Sequence, residues 1–87
     1  MNINPERALV AAVLRMGIWD FVNKKRKMNK QEVLDYEDAK RWIYSESEAP
    51  YSFLWCCDVM EYNPEKIRLL IRTKPAVIRI DMKRSAA

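Results

Sequence analysis

Helix breakers are scarce in this chain. Glycine occurs once, at Gly17, and the four prolines stand at 5, 50, 64 and 75, each beside a boundary between patterned segments. So few turn formers predict helices joined by short connections. The 87 residues allow one domain at most. A chain of that size buries only about 60–65% of its unfolded surface, so its core is marginal. Hydrophobic residues make up 49% of the chain, which suffices for a core and argues against disorder.

The helices can be placed by their caps. Asn4-Pro5-Glu6 is a start signal: Asn caps, Pro fits the first helical position, and Glu favours the positive end of the dipole. Arg7 to Val22 then reads as one helix with two apolar stripes. Leu9, Val13, Met16 and Trp19 form one; Val10, Leu14, Ile18, Phe21 and Val22 form the other. So wide an apolar arc predicts a central helix, or one that also meets a second copy. Gly17 inside it marks a kink or a close approach. Asn29 with Glu32 resembles a capping box, and Asp35 with Asp38 offers a second start. A helix therefore begins near 30 or near 36 and runs to about Ser45, burying Tyr36, Ala39, Trp42 and Ile43. Ser45 to Tyr51 is a loop. Ser52 caps a short, nearly all-apolar helix through Met60, and Asn63-Pro64 starts another that ends at Lys74-Pro75. Beyond it, Ile78, Ile80 and Met82 alternate with Arg79, Asp81 and Lys83, which is strand-like. The expected fold is all-α. It is a bundle of about four helices over 1–75, with a short strand or flexible tail at 76–87.

Charge is unevenly spread. Residues 1–28 carry +4, residues 29–62 carry −5 and residues 63–87 carry +5. This fits either a solvated surface with internal ion pairing or a molecule with one face toward nucleic acid. The basic run Lys24-Lys25-Arg26-Lys27 suits the negative end of the first helix as well as it suits a phosphate. The only cysteines, Cys56 and Cys57, are adjacent and poorly placed to bridge each other. With no disulfide framework, no apolar leader pattern and no run of about 20 apolar residues, a cytoplasmic protein off the membrane is expected.

Ser52 to Thr73 resembles the helix-turn-helix family. Cys57 fills the small position where the second helix crosses the first. Met60 closes the first helix, and Tyr62 is the apolar residue of the turn. Ile67 and Leu70 are the aliphatic pair of the second helix. The family commonly has Gly in the turn, for its positive φ; here the residue is Glu61, at an expected cost of about 1 kcal/mol. Ala39-Lys40-Arg41-Trp42-Ile43, Ser52 to Asp58 and Pro64 to Arg68 also resemble small phage and prophage proteins. That resemblance implies a regulatory or accessory protein acting in a bacterial cytoplasm.

The helix-turn-helix resemblance implies that the second helix reads the major groove with Asn63, Glu65, Lys66, Arg68, Leu69 and Arg72. Arg suits guanine, Asn adenine, and Glu can accept from cytosine. Arg68 and Arg72, one turn apart, are the leading candidates, while Lys66, Lys74 and Arg79 suit backbone phosphates. Trp42, Phe53 and Trp55 could stack on bases, but their helical spacing favours the core. Cys56 and Cys57 lack the partners of a metal site, since the chain has no His and no further Cys. Neither a metal nor another cofactor is expected. Absence of His removes the commonest general base, one Gly cannot build a phosphate loop, and the acidic residues from Glu32 to Glu48 read as a solvated surface. No enzyme is expected. Two functions of different class follow. One is a DNA-binding regulator, dimeric through the first helix, on double-stranded DNA. The other is an interaction module for a host protein, using the acidic middle or adding the strand-like tail to a partner's sheet edge.

Overall fold

A computed structural model describes the backbone of residues 5–85 and the side chains of 6–82. Five helices follow one another: α1 (Pro5–Val22), α2 (Lys30–Tyr44), α3 (Phe53–Val59), α4 (Pro64–Thr73) and α5 (Pro75–Ser85). The described residues are all helix, turn and loop, with no strand among them. The expected Asn4 cap lies outside the described residues.

α1 is the centre of the bundle, in contact with α2, α3 and α5. The second of its two apolar stripes forms the core: Val10, Leu14, Ile18 and Val22 are buried, with Phe21 packed beside them. The other stripe is divided between solvent and the edge of the core. Leu9 is 53% exposed and Met16 68%, while Val13 and Trp19 are half-buried.

α2 starts at the first of its two candidate signals. Asn29 accepts a hydrogen bond from the Glu32 amide, and Glu32 accepts one from the Asn29 amide, so two otherwise unpaired donors are satisfied together. Lys25 lies 2.7 Å from the Glu32 carboxylate and helps hold its pKa down. α2 buries Ala39 and Ile43, with Tyr36 and Trp42 half-buried beside them. Tyr36 stacks on Phe21 with 5.1 Å between ring centroids.

Gly17 marks a close approach. A Cβ there would lie 2.5 Å from Cζ3 of Trp42, so the indole rests directly on the α1 backbone. The same indole packs edge-on against Phe53 and donates from Nε1 to the Tyr51 carbonyl at 3.0 Å. Trp42 thus joins α1, α2, the 45–52 loop and α3. Tyr51 takes a left-handed backbone conformation, φ 67°.

α3 is capped by Ser52, whose hydroxyl accepts from the Trp55 amide. Phe53, Cys56 and Cys57 are completely buried. Burial pushes the Cys57 thiol up to about 11; the neighbouring Cys56 adds to the rise and Arg68 opposes it.

The C-terminal segment differs from its strand-like reading. Ala76 to Ser85 belongs to α5, which starts at Pro75 and packs on α1 and α4 as part of the same core. The helix uses the spacing of four, so Ile78 and Met82 face inward, while Ile80, aligned with them in a strand, is 56% exposed. A strand here would also need a partner for its backbone groups, and no other described segment is extended beside it. Lys74 separates α4 from α5, and its carbonyl accepts from the Val77 and Ile78 amides. The Lys83 side chain lies outside the described set.

Gly17→Ala should lower stability by about 1–2 kcal/mol, because overpacking outweighs alanine's helix propensity. In a Trp42→Leu background the same change should become neutral or stabilising. Urea unfolding of the four proteins measures the coupling; an unchanged midpoint for Gly17→Ala alone would contradict the contact.

Candidate nucleic-acid interface

The turn between α3 and α4 is tight. Met60 ends α3, and the Tyr62 amide donates to the Cys57 carbonyl at 2.8 Å. Glu61 has φ 59°, the left-handed conformation expected of a glycine at this point. Its carboxylate lies 3.9 Å from Arg7 on α1. Asn63 then caps α4: its Oδ1 accepts from the amides of Glu65 and Lys66, with Pro64 as the first helical residue.

The inner face of α4 differs in one detail from the expected aliphatic pair. Ile71 is the buried residue and Ile67 is half-buried, whereas Leu70 is exposed on the flank. Residues four apart share a face, so Ile67 pairs with Ile71. Opposite them stand Glu65, Lys66, Leu69, Arg72 and Thr73, all exposed. Thr73, whose hydroxyl donates to the Leu69 carbonyl, was not among the sequence candidates. Its place one turn after Leu69 could have marked it.

Arg68 is placed differently from the other candidates. Its side chain is only 11% exposed. Nε donates to the Ile43 carbonyl at 2.9 Å and one terminal nitrogen to the Ser45 carbonyl at 3.0 Å. The other terminal nitrogen lies 3.1 Å from Glu65 and 3.7 Å from Glu46. The guanidinium also sits over the rings of Phe53, at 5.2 Å, and Tyr44, at 5.8 Å. It closes the C-terminal end of α2, where unpaired carbonyls and the helix dipole favour a cation. A guanidinium held this way is not presented to a base edge. Asn63 is likewise committed, since the oxygen that would face adenine already accepts two amides.

The structure therefore brings Lys66, Leu69 and Arg72 together on the outward face of α4, with Glu65 at its start and exposed Lys74 at its end. Arg79 is half-buried on α5. Asp58, Glu61 and Glu65 lie at or near the N-terminal end of α4, so positive charge grows toward its C-terminal half. The basic run 24–27 belongs to a different region. It follows the C-terminus of α1, whereas Arg7, beside the α3–α4 turn, is near the N-terminus. An 18-residue helix, about 27 Å long, separates them. Among the described residues no group of three Cys, Asp or Glu side chains is arranged to hold a metal ion, and no helix is long and apolar enough to cross a membrane.

The chain matches no protein-family model, no curated protein and no solved structure.

Arg68→Ala should cost about 2–3 kcal/mol, because it leaves part-buried carbonyls without their charged donor. Arg72→Ala should stay within about 0.5 kcal/mol of the parent. Thermal unfolding of both variants checks the contrast. Equal losses would contradict the separate roles.

Proposed function

We propose that the chain is a helix-turn-helix protein that binds double-stranded DNA through the outward face of α4, as a transcriptional regulator of the phage type. One observation carries the reading: Glu61 holds a left-handed conformation in the tight turn after α3, where the motif demands it, at a residue type that takes that conformation at a cost. Completely buried Cys57 at the preceding small position and inward-facing Ile67 support the same register.

In this reading Lys66, Leu69 and Arg72 enter the major groove, with Leu69 against thymine methyls and Arg72 toward guanine or phosphate. Lys74 and Arg79 hold the backbone. Glu65 and Asn63 border the contact, and Arg68 acts through the fold. A single small unit of this kind binds weakly, and a dimer carrying two α4 helices restores affinity. The exposed Leu9, Ala12 and Met16 on α1 are the surface for that dimer.

An interaction module on a host protein is the second reading. With residues 76–85 helical, addition of that segment to a sheet edge loses its basis. The acidic middle retains a specific feature, a groove lined by Glu48 and Asp58.

Binding to a random-sequence duplex should weaken steeply from about 50 to 200 mM salt, with a log–log slope near 3 per chain. Lys66→Ala with Arg72→Ala should remove most of it while the fold persists. Absence of salt-dependent binding at low ionic strength would overturn the proposal.

A further inference from the structure

An open groove of about 340 Å³ runs between the 45–52 loop, α3 and the start of α4. Trp55 and Tyr62 supply aromatic surface, Leu54 and Pro64 apolar surface, and Glu48 and Asp58 two carboxylates. Its volume is at the small end of the range of ligand clefts, about 300–1,000 Å³. Tyr51 packs on Trp55 with 5.0 Å between ring centroids, and the Trp42 indole holds the Tyr51 carbonyl, so one wall is fixed before any ligand arrives.

The carboxylates decide what fits. The other acidic side chains around α4 are matched: Glu46 and Glu65 with Arg68, Glu61 with Arg7. Among the described residues, the side chains of Glu48 and Asp58 have neither an ion-pair nor a hydrogen-bond partner, and both line this groove. Two unmatched negative charges beside two electron-rich rings favour an alkylammonium or guanidinium group, whose stem would lie on the apolar floor. An anion or a phosphate would be repelled.

We infer that this groove is a docking site for a lysine or arginine side chain carried on a basic segment of a partner protein. The groove opens to solvent, so a side chain can enter while its backbone stays outside. A second copy of this chain fits less well. Two cations of its exposed basic run are already engaged within the chain, Lys24 over the Tyr36 ring and Lys25 with Glu32. The inference does not depend on DNA binding by α4.

Titration with an amidated peptide of alternating glycine and lysine tests it, read by the three indole N–H signals in the NMR spectrum. The Trp55 signal should move further than those of Trp42, whose N–H is engaged, and Trp19, whose surroundings of Asp20, Glu32 and Asp35 already hold Lys25. Glu48→Gln with Asp58→Asn should weaken binding about tenfold or more. Glu37→Gln with Asp38→Asn, an equal charge change on α2, should leave it unchanged. Tyr62→Leu, which keeps the apolar wall and loses the ring, gives a second variant expected to weaken binding. Equal shifts of all three indoles, unchanged affinity in the groove variants, or peptide-free self-association through the groove would overturn the inference. Duplex binding by the same groove variants, retained or strengthened, separates this result from failure of the α4 reading.

Discussion

The guanidinium of Arg68 ties the middle of α4 to the end of α2. It fills the carbonyls of Ile43 and Ser45, lies against Phe53 and Tyr44, and draws in Glu46 and Glu65. Apolar packing alone holds α4 loosely, since Ile71 is its one buried side chain. The charged contact therefore supplies much of what fixes the helix in rotation. That rotation decides which residues of α4 meet solvent. With Ile67 and Ile71 toward the core and Arg68 toward α2, Lys66 and Leu69 face outward, and Arg72, one turn on from Arg68, is exposed as well.

Trp42 performs the corresponding task on the other side of the core. It rests on Gly17, meets Phe53 edge-on and holds the Tyr51 carbonyl. The loop before α3 is thus fixed from α2, and the groove wall built by Tyr51 and Trp55 depends on it. Two left-handed residues, Tyr51 and Glu61, lie on either side of α3. Each carries a backbone cost.

Much of the helical order was legible because its signals are local. Asn29 with Glu32, Ser52, and Asn63 with Pro64 each announce a helix within four residues, and each does cap one. The two stripes of α1 were legible, but not which of them faces the core, because that depends on helices far along the chain. The C-terminal segment misled for a similar reason. Residues 78, 80 and 82 satisfy a period of two, while 78 and 82 also satisfy a helical turn, and only packing against α1 decides between them. Arg68 looked equivalent to Arg72, since both share a helical face. Its difference arises from carbonyls 23 and 25 residues away. The Glu48–Asp58 groove was not legible at all, because a loop and two helices must come together before its carboxylates share a space.

In the proposed complex α4 presents one outward face to a duplex while Arg68 looks inward. Mapping backbone amide shifts during titration with a duplex oligonucleotide tests this most directly. The largest changes should cluster at Lys66, Leu69, Arg72, Thr73 and Lys74, with little change in the groove or along the outer face of α2. Changes confined to residues 24–27, or spread evenly over the basic side chains, would contradict it.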